Sequence, residues 1–146
     1  SIEGKGLEDE LNLRVQNIEQ LMTAIFPFEQ ERVIKIKQKI NSSLEELSAN
    51  VNIDANRLEQ EMIYYIEKLD ISEEKQRLQA HITYYRNLIA SSNEEGVGKK
   101  LGFLFQEFGR EINTMGSKAN HADIQKIVVN MKDELEKAKE QALNIL

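Results

Sequence analysis

Apolar residues recur at spacings of three and four along most of this chain, which is the period of an amphipathic α-helix. A first seam consists of Leu11, Val15, Ile18, Met22 and Ile25. A second seam, out of phase with the first, consists of Val33, Ile36, Ile40, Leu44 and Leu47. Pro27 lies between the two seams. Because proline has no amide hydrogen and disfavours a helical residue before it, the pattern predicts two helices with a kink or boundary near Pro27.

Two further helices are predicted in the middle of the chain. Residues 50–54 are turn-like, and Asp54 is expected to cap the third helix. The apolar face of that helix consists of Leu58, Met62, Tyr65, Ile66 and Leu69. Asp70 and Glu73 have the spacing of a capping box, which predicts the start of a fourth helix. Its buried face is expected to consist of Leu78, Ile82, Tyr85 and Ile89.

The stretch from Gly96 to Lys118 is predicted to form a fifth helix, with Gly116 at its end. Its core side consists of Leu101, Leu104, Phe105, Phe108, Ile112 and Met115. A capping sequence that starts at Asn120 is expected to begin a sixth helix. The apolar seam of that helix is the most regular in the chain and consists of Ile124, Val128, Met131, Leu135, Ala138, Ala142 and Ile145.

Together these patterns predict an all-α fold, an extended helical bundle of five to six helices with long antiparallel, coiled-coil-like pairs. We expect residues 1–50 to form a helical arm or middle region, kinked near Pro27, and residues 51–146 to form a C-terminal helical domain. The last seam suits either packing inside the bundle or contact with a partner's helix in an oligomer.

Composition limits the chemistry that is open to this chain. It has no cysteine, which excludes disulfides, thiolate zinc sites and cysteine nucleophiles. No apolar run approaches the ~20 residues of a membrane span and no secretory signal is visible, so we expect a cytoplasmic protein without membrane contact. The net charge of -6 disfavours diffuse binding of nucleic acid. Any RNA contact must therefore come from a local basic patch or from a segment outside this sequence.

A polar stripe runs along the predicted fourth helix beside its buried face. Asp70, Glu74, Arg77 and His81 share one side of the helix, and Tyr84 follows one turn later. The stripe could be a solvated face with intrahelical ion pairs, each worth about 0.2–0.5 kcal/mol. Alternatively, His81 could take part in proton transfer, since histidine is the most frequent general acid or base.

The predicted fifth helix carries mixed polar groups beside its core side. Glu107 and Glu111, one turn apart, could share a divalent cation or pair with lysine and arginine. Lys99 and Lys100 follow a Gly-Val-Gly turn, where free N–H groups and the helix dipole suit a phosphate. The segment is not a Walker loop, and a flexible linker is the alternative interpretation. Carboxylates, Arg, Lys and His are the residue types that metal-assisted or acid–base phosphodiester cleavage uses.

Two segments of the chain match extended patterns. Residues 70–81, Asp-Ile-Ser-Glu-Glu-Lys-Gln-Arg-Leu-Gln-Ala-His, fit D-[IV]-x-E-E-x-x-R-L-x-x-H. Residues 97–118 fit V-G-R-[RK]-L-D-F-L-x-Q-E-x-N-R-E-x-N-T-[LI]-x-S-K at most positions. In addition, the ending at residues 140–145 looks like E-Q-V-Q-N-I. Both segments resemble the bacterial YicC-type, stress-induced endoribonucleases, most strongly from Arg57 onward. Members of that family are longer than this chain, and the first residue is not methionine. We therefore expect a C-terminal fragment whose N-terminal domain is missing.

The resemblance implies a metal-dependent endoribonuclease that cleaves RNA phosphodiester bonds and assembles as a homo-oligomer, a hexamer in the full-length protein. Among the candidate positions that match the motifs, we hypothesise that His81, Glu107 and Glu111 are catalytic, with His81 in proton transfer, and that the two glutamates also hold Mg²⁺ or Mn²⁺. RNA phosphates would be bound by Arg77, Lys99, Lys100, Arg110 and Lys118. The other motif positions are Asp70, Glu73, Glu74, Gln106, Asn113 and Ser117.

At two positions the chain has glycine where the family pattern has a polar residue. Gly102 stands where the family has Asp, and Gly109 stands where it has Asn. If that Asp binds a metal, this chain would bind it weakly. The alternative function is a helical oligomerisation or scaffolding module without catalytic activity of its own. The heptad seams, the acidic net charge and the two glycines favour that alternative.

Overall fold

The computed structural model describes residues 2–48, 55–91 and 96–145. These residues form six helices joined by short connections, and none of them lies in a strand. The helices are α1 (Ile2–Ala24), α2 (Phe26–Ser48), α3 (Ala55–Lys68), α4 (Ser72–Ala90), α5 (Val97–Lys118) and α6 (Ala122–Leu143). Because α1 and α2, and likewise α3 and α4, are separated only by bends, the fold can also be counted as four long helices, two of them bent. The all-α class is confirmed.

The bend near Pro27 is confirmed as the boundary between α1 and α2. Helix α1 ends at Ala24 and α2 begins at Phe26, so Pro27 occupies the first turn of α2. Its missing N–H group is tolerated there because the first amides of a helix have no intrahelical acceptor. The Glu29 amide restores the helical pattern by donating to the Ile25 carbonyl at 2.9 Å.

Helices α1, α4, α5 and α6 form an antiparallel bundle around one core. Glu74, near the start of α4, lies against Lys118 at the end of α5. Gln125, near the start of α6, donates to the Gly116 carbonyl near the end of α5 at 2.6 Å. The predicted apolar faces of these four helices supply the buried interior: Leu11, Val15, Ile18, Met22, Ile25, Leu78, Ile82, Tyr85, Ile89, Leu101, Leu104, Phe105, Phe108, Ile112, Met115, Ile124, Val128, Met131, Leu135, Ala138 and Ala142. Ile145, the last residue of the predicted sixth seam, is only half-buried.

Helices α2 and α3 form an arm that leaves the bundle as a helical hairpin. Residues of both helices line a cleft of about 270 Å³. Arg32, near the start of α2, donates to the carbonyl of Leu69, just after the end of α3, so the two helices run antiparallel. The apolar seam of the arm is half-buried rather than buried at the positions whose burial is described, except Ile66, which is exposed. The Asp54 cap and the expected boundary at residue 50 lie outside the described residues, so the division into 1–50 and 51–146 stays a prediction.

Three local expectations about helix ends are wrong. Gly116 lies inside α5, which continues to Lys118. Helix α6 is capped by His121 rather than Asn120, and the His121 Nδ1 atom accepts from the Asp123 and Ile124 amides at 3.2 and 3.4 Å. No capping box forms at the start of α4, where the N-cap position is Ile71. None of the described helices is both long and apolar enough to cross a membrane.

Candidate functional site

The start of α5 depends on a glycine in a left-handed conformation. Gly96 has φ 83° and occupies the N-cap position, where a residue with a Cβ atom would be strained. Its carbonyl accepts from the Lys100 amide at 3.0 Å, which closes the first turn of the helix. This turn presents Lys99 and Lys100 at the helix N-terminus, where the partial positive charge of the helix favours an anion.

The polar stripe of α4 faces α5 along much of its length, so it is not simply a solvated face. The contacts that link the two helices are Glu74–Lys118 at 2.7 Å, Arg77–Glu111 at 3.8 Å and His81–Phe108 with ring centroids 6.4 Å apart. The predicted position of this stripe beside the buried face is confirmed, and the packing of α4 against α5 turns it toward the second signature segment, residues 97–118.

A groove of about 590 Å³ opens between α4 and α5 near the start of α5. Its volume falls within the ~300–1,000 Å³ that ligand pockets usually have. Four predicted site residues, drawn from both helices, line it together with four others. The lining consists of Ala80, His81, Tyr84, Lys99, Lys100, Phe103, Leu104 and Glu107. This opening is called the α4–α5 groove below.

The groove combines available charges of both signs. Within residues 2–48, 55–91 and 96–145, neither Lys99 nor Glu107 has an ion-pair partner. His81 is half-buried, and its ring stacks on Phe108 at an interplanar angle of 19°. The arrangement can therefore offer an ammonium group to an anion and an imidazole and a carboxylate to a proton, without first breaking an ion pair.

At the other end of the α4–α5 pair, the predicted site residues are held in structural contacts. The Glu74 side chain is 1% exposed and accepts from the Lys118 ammonium. The same ammonium group lies 3.4 Å from the Asp70 carbonyl oxygen. The Asp70 carboxylate accepts from the Ser72 amide at 3.1 Å and from its hydroxyl at 2.7 Å, which ties down the chain before α4.

Arg77 joins two predicted carboxylates between these two ends. It forms an ion pair with Glu73 one turn earlier on α4 and reaches Glu111 on α5 at 3.8 Å. The Glu111 side chain is 6% exposed, whereas that of Glu73 is 68% exposed. Because a buried carboxylate needs a positive partner, Arg77 is oriented by Glu111 and is only partly available to a phosphate.

The other predicted positions of α5 lie on its exposed outer face and do not line the groove. These residues are Gln106, Arg110, Asn113 and Ser117. Ser117 donates its hydroxyl hydrogen to the Thr114 carbonyl at 3.0 Å. Arg110 has no ion-pair partner in the part of the chain that the structure describes. It remains open to a long ligand that would extend beyond the groove.

The described residues do not form a ready-made site for a divalent metal. No three acidic, histidine or cysteine side chains among them converge closely enough to hold an ion. Glu107 faces the groove, but Glu111 is buried beside Arg77. Mg²⁺ is often held by only one or two carboxylates together with water and substrate phosphates, and Glu107 alone fits that role in this arrangement.

Two aromatic residues of the groove were not among the predicted site residues. Phe103 is 68% exposed and Tyr84 is 54% exposed. The sequence did hold a signal for both, because Phe103 falls outside the apolar stripe of α5 and Tyr84 continues the polar stripe of α4. An aromatic residue that lies off the buried face, inside a family signature as Phe103 does or one turn after it as Tyr84 does, is a candidate for ligand contact.

The two glycines that depart from the family pattern do not line the groove. A Cβ atom at Gly102 would meet nothing within 4 Å, so this position points into open space. A Cβ atom at Gly109 would lie 3.4 Å from the Leu135 side chain, which shows that Gly109 faces α6. The groove is thus formed without the Asp and Asn that the pattern has at these positions.

Comparisons with known proteins agree with the resemblance of the two segments. Residues 25–146 match the family described as "Endoribonuclease YicC-like, C-terminal". The chain is 37% identical to the "Probable endoribonuclease YicC" of Clostridioides difficile (strain 630) over 146 residues, 99% of this chain and 49% of that relative. It is 33% identical to the protein of the same name from Haemophilus influenzae over 137 residues, 94% of this chain and 44% of that relative. The chain therefore spans about half the length of the curated relatives it matches. It belongs to the YicC-like C-terminal family.

Proposed function

We propose that this chain contributes the α4–α5 groove as an RNA-cleaving site of an endoribonuclease. One observation carries the proposal: His81 on α4 and three residues of α5, Lys99, Lys100 and Glu107, line one groove. The names of its relatives support the reaction class, since both are called probable endoribonucleases. The net charge of -6 is compatible with this function because the cationic groups are local.

In this proposal, an RNA phosphate binds at the start of α5. Lys99 and Lys100 supply positive charge there, and the N-terminal amides of the helix add favourable dipoles. Such contacts give affinity and position the backbone without reading the base sequence. Arg110, on the exposed face further along α5, would hold a phosphate of the same strand beyond the groove, whereas Lys118 acts through its contact with Glu74.

His81 and Glu107 are proposed to move the protons. Cleavage requires one group to accept a proton from the attacking oxygen and another to give a proton to the leaving 5′-oxygen. An imidazole and a carboxylate on opposite sides of the groove are suited to these two tasks. Glu111 is proposed to act as a positioning residue, because it is buried and pairs with Arg77.

Metal dependence is a further part of the proposal. Mg²⁺ or Mn²⁺ would be held by Glu107 together with water and RNA phosphate oxygens, and it would neutralise charge on the phosphate. Glu111 could bind the same ion only if its ion pair with Arg77 were broken. A full-length Glu107→Gln, Glu111→Gln variant should lose metal-stimulated cleavage while keeping its oligomeric state. Unchanged metal stimulation would remove both glutamates from the site.

The central test is cleavage of labelled RNA by full-length His81→Gln and Glu107→Gln variants. Each should lower the cleavage rate by about 10²–10⁴-fold, the usual contribution of a general acid or base. Glu136→Gln on α6 is a matched control because its side chain is 70% exposed and lies away from the groove. If both groove variants cleave as fast as the control, the groove is not the site.

The alternative is that this chain is an oligomerisation or scaffolding module. The arm favours it, because Ile34, Ile63 and Ile66 are 45–57% exposed on α2 and α3. A homo-oligomer is expected on either account, and a hexamer is the proposed state of the full-length protein. Sedimentation of this chain with and without RNA separates the two functions: a stable oligomer without affinity for RNA would favour the alternative.

A further inference from the structure

Two exposed aromatic side chains lie on opposite helices of the α4–α5 groove. Phe103 on α5 is 68% exposed, and Tyr84 on α4 is 54% exposed. Both line the groove beside Lys99 and Lys100. Burial of apolar surface is favourable, so a ligand that covers these rings gains affinity. The two rings and the adjacent lysines therefore fit a ligand that has flat apolar surfaces next to anionic groups.

We infer that Tyr84 and Phe103 stack on unpaired bases, so that the groove accepts single-stranded RNA and rejects the same sequence in a duplex. This inference rests on the proposed function, since it names the substrate class of that same site. Each base of a single strand has a free π-face, and stacking on an aromatic side chain tolerates any base. The phosphates on either side of a stacked base then reach Lys99 and Lys100.

A duplex cannot make the same contacts. In an A-form helix the bases are stacked on one another, and the deep, narrow major groove does not admit side chains. Phe103 and Tyr84 could reach a base only after its pair had been opened. The inference therefore predicts cleavage in loops, bulges and single-stranded tails rather than within continuous helices.

The polar composition of the groove favours RNA over a protein partner as the occupant. The core of a protein–protein interface is depleted of Lys and Glu. Here Lys99, Lys100, His81 and Glu107 surround the two rings. Alternation of cationic and aromatic groups in one groove is instead the arrangement that single-strand binding proteins use.

The test compares binding of a single-stranded RNA of about eight nucleotides, within the ~4–16 of single-strand sites, with binding of its blunt duplex. The RNA carries 2-aminopurine, whose fluorescence reports stacking. Full-length Phe103→Leu and Tyr84→Leu keep an apolar side chain but remove the ring. Each should weaken single-strand binding by about tenfold or more and abolish the fluorescence change. Phe103→Tyr, which keeps a ring at this position, should retain both the single-strand binding and the fluorescence change.

Tyr64→Leu serves as the matched control, because Tyr64 is 57% exposed on the arm, outside the groove. Equal binding of single strand and duplex, unaffected by the two ring variants but weakened by Lys99→Gln, would overturn the stacking inference and leave the proposed function intact. Binding that is indifferent to Lys99→Gln as well would overturn both. If Phe103→Leu changed the oligomeric state instead of RNA binding, the rings would be a contact between copies and the inference would be wrong.

Discussion

The ammonium group of Lys118 lies 2.7 Å from a carboxylate oxygen of Glu74, whose side chain is only 1% exposed. Both residues belong to the family signatures, and the contact joins the end of α5 to the start of α4. A buried carboxylate without a positive partner is strongly unfavourable. The pair therefore explains two signature positions by their structural role, because it fixes the two helices that form the groove.

Loss of Lys118 should destabilise the fold more than loss of the whole pair. Lys118→Met leaves the Glu74 carboxylate buried and unpaired, and we expect it to lower the free energy of unfolding by about 3 kcal/mol. Glu74→Met, Lys118→Met should cost clearly less, because no charge is left behind. Urea unfolding of both variants checks this. Lys139→Met, in a surface pair with Glu136, is the control. Equal losses of stability in the single and double variants would show that an unpaired Glu74 carboxylate is not costly at this site.

Lys99 and Lys118 should have different roles, although both were predicted to bind phosphate. Lys99→Gln should weaken RNA binding with little effect on stability. The slope of log affinity against log salt concentration should become shallower by about 0.7, the value for one phosphate contact on a single strand. Lys118→Gln should lower stability and leave the slope almost unchanged, since its ammonium is held by Glu74. Titration of RNA at several salt concentrations measures both slopes. A larger slope change for Lys118→Gln would reverse the assignment.

Acid should weaken the contact between α1 and α4. Hydrogen bonds from Arg86 at 2.8 and 2.9 Å, and from Gln79 at 3.0 Å, hold the pKa of the Glu19 carboxyl below its usual range. Because this pKa is lower in the folded state, the stabilisation is present above the unfolded value of about 4.3 and is lost as pH falls through the folded pKa.

The expected size of this effect is about 0.5–1 kcal/mol, because the pair is partly exposed. Glu19→Gln should lower the free energy of unfolding by that amount at neutral pH. The difference from the natural protein should shrink as the pH is lowered below about 4.3. Denaturant unfolding at a series of pH values gives the measurement. A difference that stays constant from neutral to acid pH would show that the carboxylate charge does not matter.

Arg32 should hold the arm against the bundle. This residue of α2 is 6% exposed, and its guanidinium donates to the carbonyl oxygens of Leu69 and Lys118, the latter at 2.9 Å. Arg32→Met removes both hydrogen bonds. Hydrogen exchange in α3 should become about tenfold faster for each ~1.4 kcal/mol lost, while α5 and α6 keep their protection. Lys35→Met, on the exposed side of α2, is the control. Uniform acceleration in all helices would indicate a general loss of stability instead.

The two helical glycines at positions 102 and 116 should respond differently to alanine. At Gly102 a Cβ atom meets nothing within 4 Å, so Gly102→Ala should raise the free energy of unfolding by about 0.5–1 kcal/mol. At Gly116 the Cβ atom would lie 3.1 Å from a Val128 methyl carbon, which requires α5 and α6 to shift. Gly116→Ala should therefore gain less or lose stability. Thermal unfolding ranks the two variants, and a larger gain at Gly116 would contradict the close approach.

Gly102→Asp restores the residue of the family pattern and tests its importance. Because Gly102 lies outside the groove, we expect RNA cleavage to be unchanged in rate and in metal requirement. Cleavage assays with and without added Mg²⁺ give the answer. A marked increase in metal-stimulated cleavage would mean that the aspartate binds the metal and that the site extends beyond the groove.

Which face of each bundle helix is buried follows from the order of amino acids alone. A helix with apolar residues at spacings of three and four has one face that water disfavours, so the stripe through Leu101, Leu104 and Phe108 had to turn inward. The break at Pro27 was equally local, because it follows from the chemistry of the residue itself. The two signatures also identified the family.

The roles of the polar residues, in contrast, depend on how the helices pack against one another. Glu107 and Glu111 are one helical turn apart and were predicted on the same side of α5. In the structure, however, Glu107 lines the groove and Glu111 is buried beside Arg77. Exposure and ion pairing depend on which residue of a neighbouring helix lies opposite, and helical periodicity does not contain that information. For the same reason Phe103 and Tyr84 became part of the groove only when α4 packed against α5.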